Sequence, residues 1–176
     1  MKNIILIGFM GTGKTSTGKI LANRIGYAFA DMDQRIERKY GMSIKEMFEK
    51  KGEPYFRSCE KSMANELSVR KNMVISTGGG TAKNPENMAV LKANGVIICL
   101  QANVDSILER TGRRGTRPVL DEHDQGDRRQ AIQDLLDSRQ SIYTVADYFV
   151  DTSELSPMEV ANDIIHYLKR EGVLHA

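Results

Sequence analysis

Residues 4–15 read Ile4-Ile-Leu-Ile7-Gly8-Phe-Met-Gly11-Thr12-Gly13-Lys14-Thr15, an apolar run that passes straight into a glycine-rich loop. A four-residue apolar run with no alternation is the pattern of a strand buried on both faces. The loop matches G-x-x-x-x-G-K-[ST], and the residues after it (Ile20, Leu21, Arg24, Ile25) follow a helical pattern. Strand, loop and helix are the context this motif needs. The glycines let successive backbone N–H groups converge on phosphate oxygens, and the helix N-terminus adds the positive end of its dipole. Lys14 would reach the outer phosphates and Thr15 would offer its hydroxyl to Mg²⁺. An ordinary glycine turn would not explain lysine and threonine at those two positions. A loop so rich in glycine is costly to order, and a bound polyphosphate offsets that cost.

The same alternation continues along the chain. Val74–Ser76 and Val96–Leu100 are further apolar runs, and Ala28–Ala30 and Tyr148–Val150 are weaker strand candidates. Helix starts lie between them: Ser43 with Glu46 and Ser156 with Glu159 fit the capping box, Pro157 stands at a first helical position, and Asn84 and Asn103 read as caps. Alternating strands and helices over 176 residues predict one α/β domain, 1–176, with a parallel sheet between helical layers. The segment Thr111–Asp127 is polar, glycine-rich and charged, and reads as a long irregular loop.

Composition narrows the class. Hydrophobic residues make up 40% and charged residues 27%, the balance of a soluble globular protein. No apolar run approaches a membrane span, and the start does not read as a signal peptide. A net charge of +2 is too small to argue for nucleic acid. With Cys59 and Cys99 the only cysteines, a disulfide scaffold is not expected and a cytoplasmic location is. His123, His166 and His175 show no metal-ligand spacing.

Four further groups bear on the second substrate. Asp31-Met-Asp33 follows the second candidate strand, where side chains two apart point the same way. One carboxylate could serve a metal and the other orient or deprotonate a hydroxyl; a solvated turn with one helix cap would carry the same pair. Arg57 and Glu60 are spaced to pair, which holds an arginine fork ready for a carboxylate, or makes only a surface ion pair. Gly78-Gly79-Gly80 follow a buried strand, where a ligand can approach the backbone. Arg110, Arg113, Arg114 and Arg117 bracket the irregular segment, and Arg139 lies near the apolar face of a helical pattern, where its charge needs a partner or a ligand. Mobile arginines that close over phosphates are a common device in phosphoryl transfer. The Asn-Lys-x-Asp signature of GTPases is absent from the chain.

Taken together, Gly8–Thr15, Asp31-Met-Asp33, Gly41-Met-Ser-Ile, Gly52-Glu53 with Phe56-Arg57 and Glu60, Gly78–Gly80, Arg117-Pro118, and Arg139 with Tyr143 resemble the shikimate kinase family over nearly the whole chain. The resemblance implies a P-loop NTPase-like fold with a five-stranded parallel sheet of order 2-3-1-4-5, a substrate-binding region near residues 32–60 and a mobile lid at 111–127. It implies Mg²⁺-dependent transfer of the ATP γ-phosphoryl group to the 3-hydroxyl of shikimate, in aromatic amino-acid biosynthesis, by a monomer without nucleic-acid or membrane partners. It also implies roles. Gly11, Thr12, Gly13, Lys14, Thr15 and Ser16 would bind nucleotide, with Arg110 packing on adenine. Thr15 would ligate the metal, with Asp31 and Ser76 helping through water. Asp33 would bind the shikimate hydroxyls and act as base, Arg57, Gly78, Gly79, Gly80 and Arg139 would bind shikimate, and Arg117 would contact the transferring phosphate. Two features depart from the family pattern: Ser141 stands where proline is common, and Glu122-His-Asp-Gln-Gly gives the lid its own composition. A gluconate or nucleoside monophosphate kinase, and a nucleotide-binding module without turnover, are the competing readings.

Overall fold

The computed structural model describes residues 2–112 and 125–175, the side chains of 125–127 excepted. Five strands, β1 (Asn3–Gly8), β2 (Ala28–Asp31), β3 (Met73–Ser76), β4 (Gly95–Gln101) and β5 (Tyr148–Asp151), form one parallel sheet of order β2-β3-β1-β4-β5. All five candidate strands of the sequence are present, each extended by a residue or two.

β1 lies at the centre, with Ile4 opposite Val74 on one side and Val96 on the other. Its pleat explains why every residue between Ile4 and Ile7 is apolar. Ile5 and Ile7 face a core shared with α4 (Glu53–Ser68) and α5 (Pro85–Ala93), through Met63, Leu67, Met88 and Leu91. Ile4 and Leu6 face the opposite core, filled by Leu21 of α1 (Lys14–Ile25) and by Val160, Ile164 and Leu168 of a C-terminal helix, Pro157–Arg170. Two-sided burial of a strand forces the unbroken apolar run. The result is a three-layer α/β architecture.

Among the described residues the remaining α-helices are α2 (Met32–Tyr40), α3 (Ile44–Lys50), α6 (Val104–Arg110) and α7 (Gln125–Arg139); the C-terminal helix is α8. Their starts follow local chemistry. Asn84, Asn103, Ser43 and Asp31 accept hydrogen bonds from N–H groups of their own first turns. Ser156 and Glu159 form the full, reciprocal capping box. At α3 only half of the expected box is built: Ser43 caps Glu46 N–H, while the Glu46 carboxylate meets the Ser43 hydroxyl at 3.4 Å and Lys50 at 3.4 Å. The helical turn places Lys50 where it competes for that carboxylate.

The irregular segment expected at 111–127 is corrected at its end, because Gln125–Asp127 already belong to α7. Arg113, Arg114, Arg117, Pro118, His123 and most of the proposed lid lie outside the described residues. No described helix is long and apolar enough to cross a membrane. Cys59 and Cys99 are both free and buried, and burial pushes the Cys99 thiol up to about 12, which leaves it inert as a nucleophile.

Candidate active site

The C-terminal ends of β1, β2 and β3 open on one cavity of about 1570 Å³. It is lined by Gly11, Thr12, Gly13, Lys14, Thr15 and Ser16, by Asp31 and Asp33, and by Arg57, Gly78, Gly79, Gly80, Arg110 and Arg139. Every expected site residue within the described region therefore borders one space, except Ser76. Its hydroxyl lies 3.5 Å from that of Thr15, which does line the cavity.

The loop after β1 owes its path to backbone that only glycine enters easily. Gly13, at the N-cap of α1, has φ +88°, and Gly11 has φ +83°. Thr12 closes the turn by donating its hydroxyl to Phe9 C=O at 2.7 Å. Lys14 is buried, and its ammonium donates to Gly8 C=O at 2.7 Å and Phe9 C=O at 3.1 Å, over the floor of the loop.

Asp31 serves two elements. Its Oδ1 caps α2 by accepting from Gln34 N–H at 3.1 Å, and its Oδ2 accepts from the Thr15 hydroxyl at 2.8 Å. The helix cap and the site carboxylate, which the sequence left as alternatives, are the same residue. Asp33, in the first turn of α2, lines the cavity, with its Oδ1 buried and lacking a hydrogen-bond partner. Burial, helped by the negative charges of Asp31, Glu60 and Glu37 and opposed by Lys14, pushes its carboxyl up to about 7.

Opposite the loop lies a network that ties the two halves of the acceptor side together. Glu60 is 1% exposed. One of its oxygens accepts from Arg57 Nη1 at 3.0 Å, and the other accepts from the Thr81 hydroxyl at 2.8 Å. Thr81 in turn accepts from Gly78 N–H at 3.0 Å. Because a buried carboxylate must be paired, Glu60 fixes the guanidinium and the glycine turn relative to each other. Arg57 is no mere surface pair.

The three glycines are explained by close approach. A Cβ on Gly78 would stand 2.6 Å from Asp33 Oδ1, and one on Gly80 would stand 2.7 and 2.8 Å from the two terminal nitrogens of Arg57. At Gly79 the nearest atoms would be 3.8 Å away, so only the middle glycine leaves room for a ligand.

Arg139, at the end of α7, is buried; its Nη1 donates to Gly79 C=O at 3.0 Å and its guanidinium lies 5.2 Å from the centre of the Phe9 ring. The helical spacing had placed it near an apolar face, and Phe9 is the aromatic surface that receives it. The buried Tyr143 hydroxyl beside it has no hydrogen-bond partner, and burial pushes it up to about 12. Arg57 and Arg139 thus flank one glycine turn and face one crevice. Arg110 is held at the cavity rim by Thr152, through the side chain at 2.9 Å and the carbonyl at 2.7 Å, and by Gly11 C=O at 3.2 Å.

Sequence reasoning missed Phe9, Thr81 and Thr152, the partners that position Arg139, Gly78 and Arg110. Phe9 and Thr152 lie far along the chain from the arginines they support, and Thr81, three residues from Gly78, is 21 positions from Glu60, to which it ties that turn. Glu53, which accepts from Arg57 Nε at 3.2 Å, was detectable from its i,i+4 spacing. Among the described residues no group of three or more His, Cys, Asp or Glu is arranged to hold a metal.

Comparison with known proteins agrees with this geometry. The family model for shikimate kinase matches residues 10–169. A shikimate kinase from Thermodesulfovibrio yellowstonii is 46% identical over 170 residues, 97% of this chain and 96% of the relative. One from Caldanaerobacter subterraneus is 45% identical over 173 residues, 98% of this chain and 99% of the relative. Among solved structures, the shikimate kinase of Acinetobacter baumannii in complex with shikimate aligns with a TM-score of 0.92 at 38% identity, covering 97% of this chain and 94% of that one. Matches of this extent, reached independently from sequence and from structure, show that the chain belongs to the shikimate kinase family.

Proposed function

We infer that the protein transfers the γ-phosphoryl group of ATP to the 3-hydroxyl of shikimate, giving shikimate 3-phosphate. The observation that carries the reading is the single cavity in which a phosphate-cradling loop faces a buried carboxylate and two arginines. Shikimate is a small carboxylate bearing hydroxyls. Arginine forks suit the carboxylate and an aspartate suits the hydroxyl. Backbone N–H groups of Gly11–Ser16 and the α1 N-terminus cradle the phosphates, Lys14 swings from its loop carbonyls to the outer phosphates, and Arg110 packs on the adenine. Arg57 and Arg139 hold the acceptor's carboxylate beside Gly79, which turns the 3-hydroxyl toward Asp33. Asp33, once ionised, accepts the hydroxyl proton as the oxygen attacks. Arg117, outside the described residues, is assigned to the transferring phosphate. Phosphoryl transfer asks the protein chiefly for alignment and positive charge.

The residues fit Mg²⁺. The Thr15 hydroxyl, Asp31 Oδ2 and the Ser76 hydroxyl form a sparse set of hard oxygen donors, the kind this ion takes together with phosphates and water. When bound, the ion neutralises charge on the phosphate oxygens. The α2–α4 region, residues 32–60, is assigned to the acceptor and residues 111–127 to a lid. The reading includes a cytoplasmic monomer, in keeping with two unbridged, buried cysteines.

A coupled assay of ADP release with shikimate, gluconate and a nucleoside monophosphate tests this function. Turnover with shikimate alone is expected; turnover with gluconate and not shikimate would overturn it, and ATP binding without any turnover would favour a binding module. For the acceptor arginines, Arg139→Lys raises KM for shikimate by about tenfold and leaves KM for ATP unchanged. Lysine keeps the charge but loses the fork, a loss of about one charge-assisted hydrogen bond. A raised KM for ATP with an unchanged KM for shikimate would reassign the residue.

A further inference from the structure

We propose that Glu53 is a built-in place-holder for the acceptor's carboxylate, occupying Arg57 until the acceptor displaces it. The inference rests on the reading of Arg57 as an acceptor-binding group. It starts from how the donors of that guanidinium are used. Nη1 is committed to Glu60, whose carboxylate is buried and tied to Thr81. Both Nη atoms also lie close against Gly80. A carboxylate arriving side-on would use Nε and Nη2, and Nε is taken by Glu53 Oε2 at 3.2 Å.

The two glutamates differ in how firmly they are held. The Glu60 side chain is 2% exposed and the Glu53 side chain 51% exposed. Among the described residues Glu53 makes this one ion pair. It stands in the first turn of α4 and lines the acceptor cavity. A half-exposed pair of this kind is weak, so a better-placed carboxylate displaces it. The exchange swaps one anion for another on Arg57, and the guanidinium stays compensated and oriented throughout. An acceptor without a carboxylate offers no such exchange and leaves the Glu53–Arg57 pair in place.

The test is steady-state kinetics on Glu53→Gln, with Glu66→Gln, exposed on the same helix and outside the cavity, as the control for bulk charge. Glu53→Gln is expected to lower KM for shikimate by about two- to fivefold, the size of a surface ion pair, with kcat kept and KM for shikimate methyl ester unmoved. Glu66→Gln is expected to leave KM for shikimate within error of wild type. An unchanged or raised KM in Glu53→Gln, or an equal fall in Glu66→Gln, overturns the place-holder while wild-type turnover of shikimate leaves the activity standing. A wild-type protein that does not phosphorylate shikimate overturns the activity and this inference with it.

Discussion

Asp33→Asn lowers kcat by roughly 10²- to 10⁴-fold, the usual yield of a positioned general base, while KM for shikimate changes little. Asparagine keeps the shape and one acceptor oxygen but cannot take a proton. The wild-type pH profile carries the same information. With the Asp33 carboxyl pushed up to about 7, the acid form dominates below that pH and cannot act as base. kcat/KM is therefore expected to rise through pH 7 and level above it, and the variant should lose that inflection. The sign reverses for stability. Between about pH 4 and 7 the folded protein retains a proton on Asp33 that the unfolded chain has released, so stability falls as pH rises across this window. An ionised carboxylate with a buried, unpartnered oxygen is costly. Asp33→Asn should accordingly raise Tm relative to wild type at pH 8 and do little at pH 4. A variant with near wild-type kcat would show that Asp33 only positions the hydroxyl. Equal Tm differences at both pH values would show that its carboxyl is not perturbed.

The second large effect is expected from a single methyl group. In Gly78→Ala the new Cβ would stand 2.6 Å from Asp33 Oδ1, closer than side chains pack, so the carboxylate must swing away. The backbone there has no positive φ to forbid alanine, and the displaced atom is the end of a side chain. The protein should fold with a Tm near that of wild type. A misplacement of about 1 Å at the reacting hydroxyl nevertheless costs on the order of 10²-fold in rate, and it should appear in kcat. Gly80→Ala presses instead on the Arg57 terminal nitrogens and should appear mainly in KM for shikimate. The pair of variants separates the hydroxyl end of the acceptor from its carboxylate end. Identical kinetic signatures would show that the turn acts as a unit.

The sheet was legible because burial on both faces leaves a strong mark. Ile4–Ile7, Val74–Ser76 and Val96–Leu100 could not be solvent-facing strands, and they are buried in the sheet. The phosphate loop was legible because its glycines, lysine and threonine each answer a separate physical need at fixed spacing. Arg139 was legible from helical periodicity alone. The start of α7 was not: Gly126 weakens the helical pattern in its first turn, so a helix held by its later contacts (Ile132, Leu135 and Leu136 against Phe9 and Ile107) looked irregular there. Nor were the links that organise the site. Thr81 to Glu60 spans 21 positions and Arg110 to Thr152 spans 42. Such pairs meet only after the sheet has brought their elements together.

The central place of β1 has a consequence for how the protein is made. Of these five strands, the earliest to leave the ribosome is the one that needs both neighbours, since Ile4 pairs with Val74 and Val96. Those partners follow by roughly 70 and 90 residues, several seconds at about 5–20 residues per second of translation. Throughout that interval a sticky hexapeptide has neither edge covered, which is the condition that invites aggregation of nascent chains. Slowing synthesis between Gly26 and Met73 should lengthen that exposure and increase dependence on chaperones, whereas a pause after Gln101, once both flanking strands exist, should not.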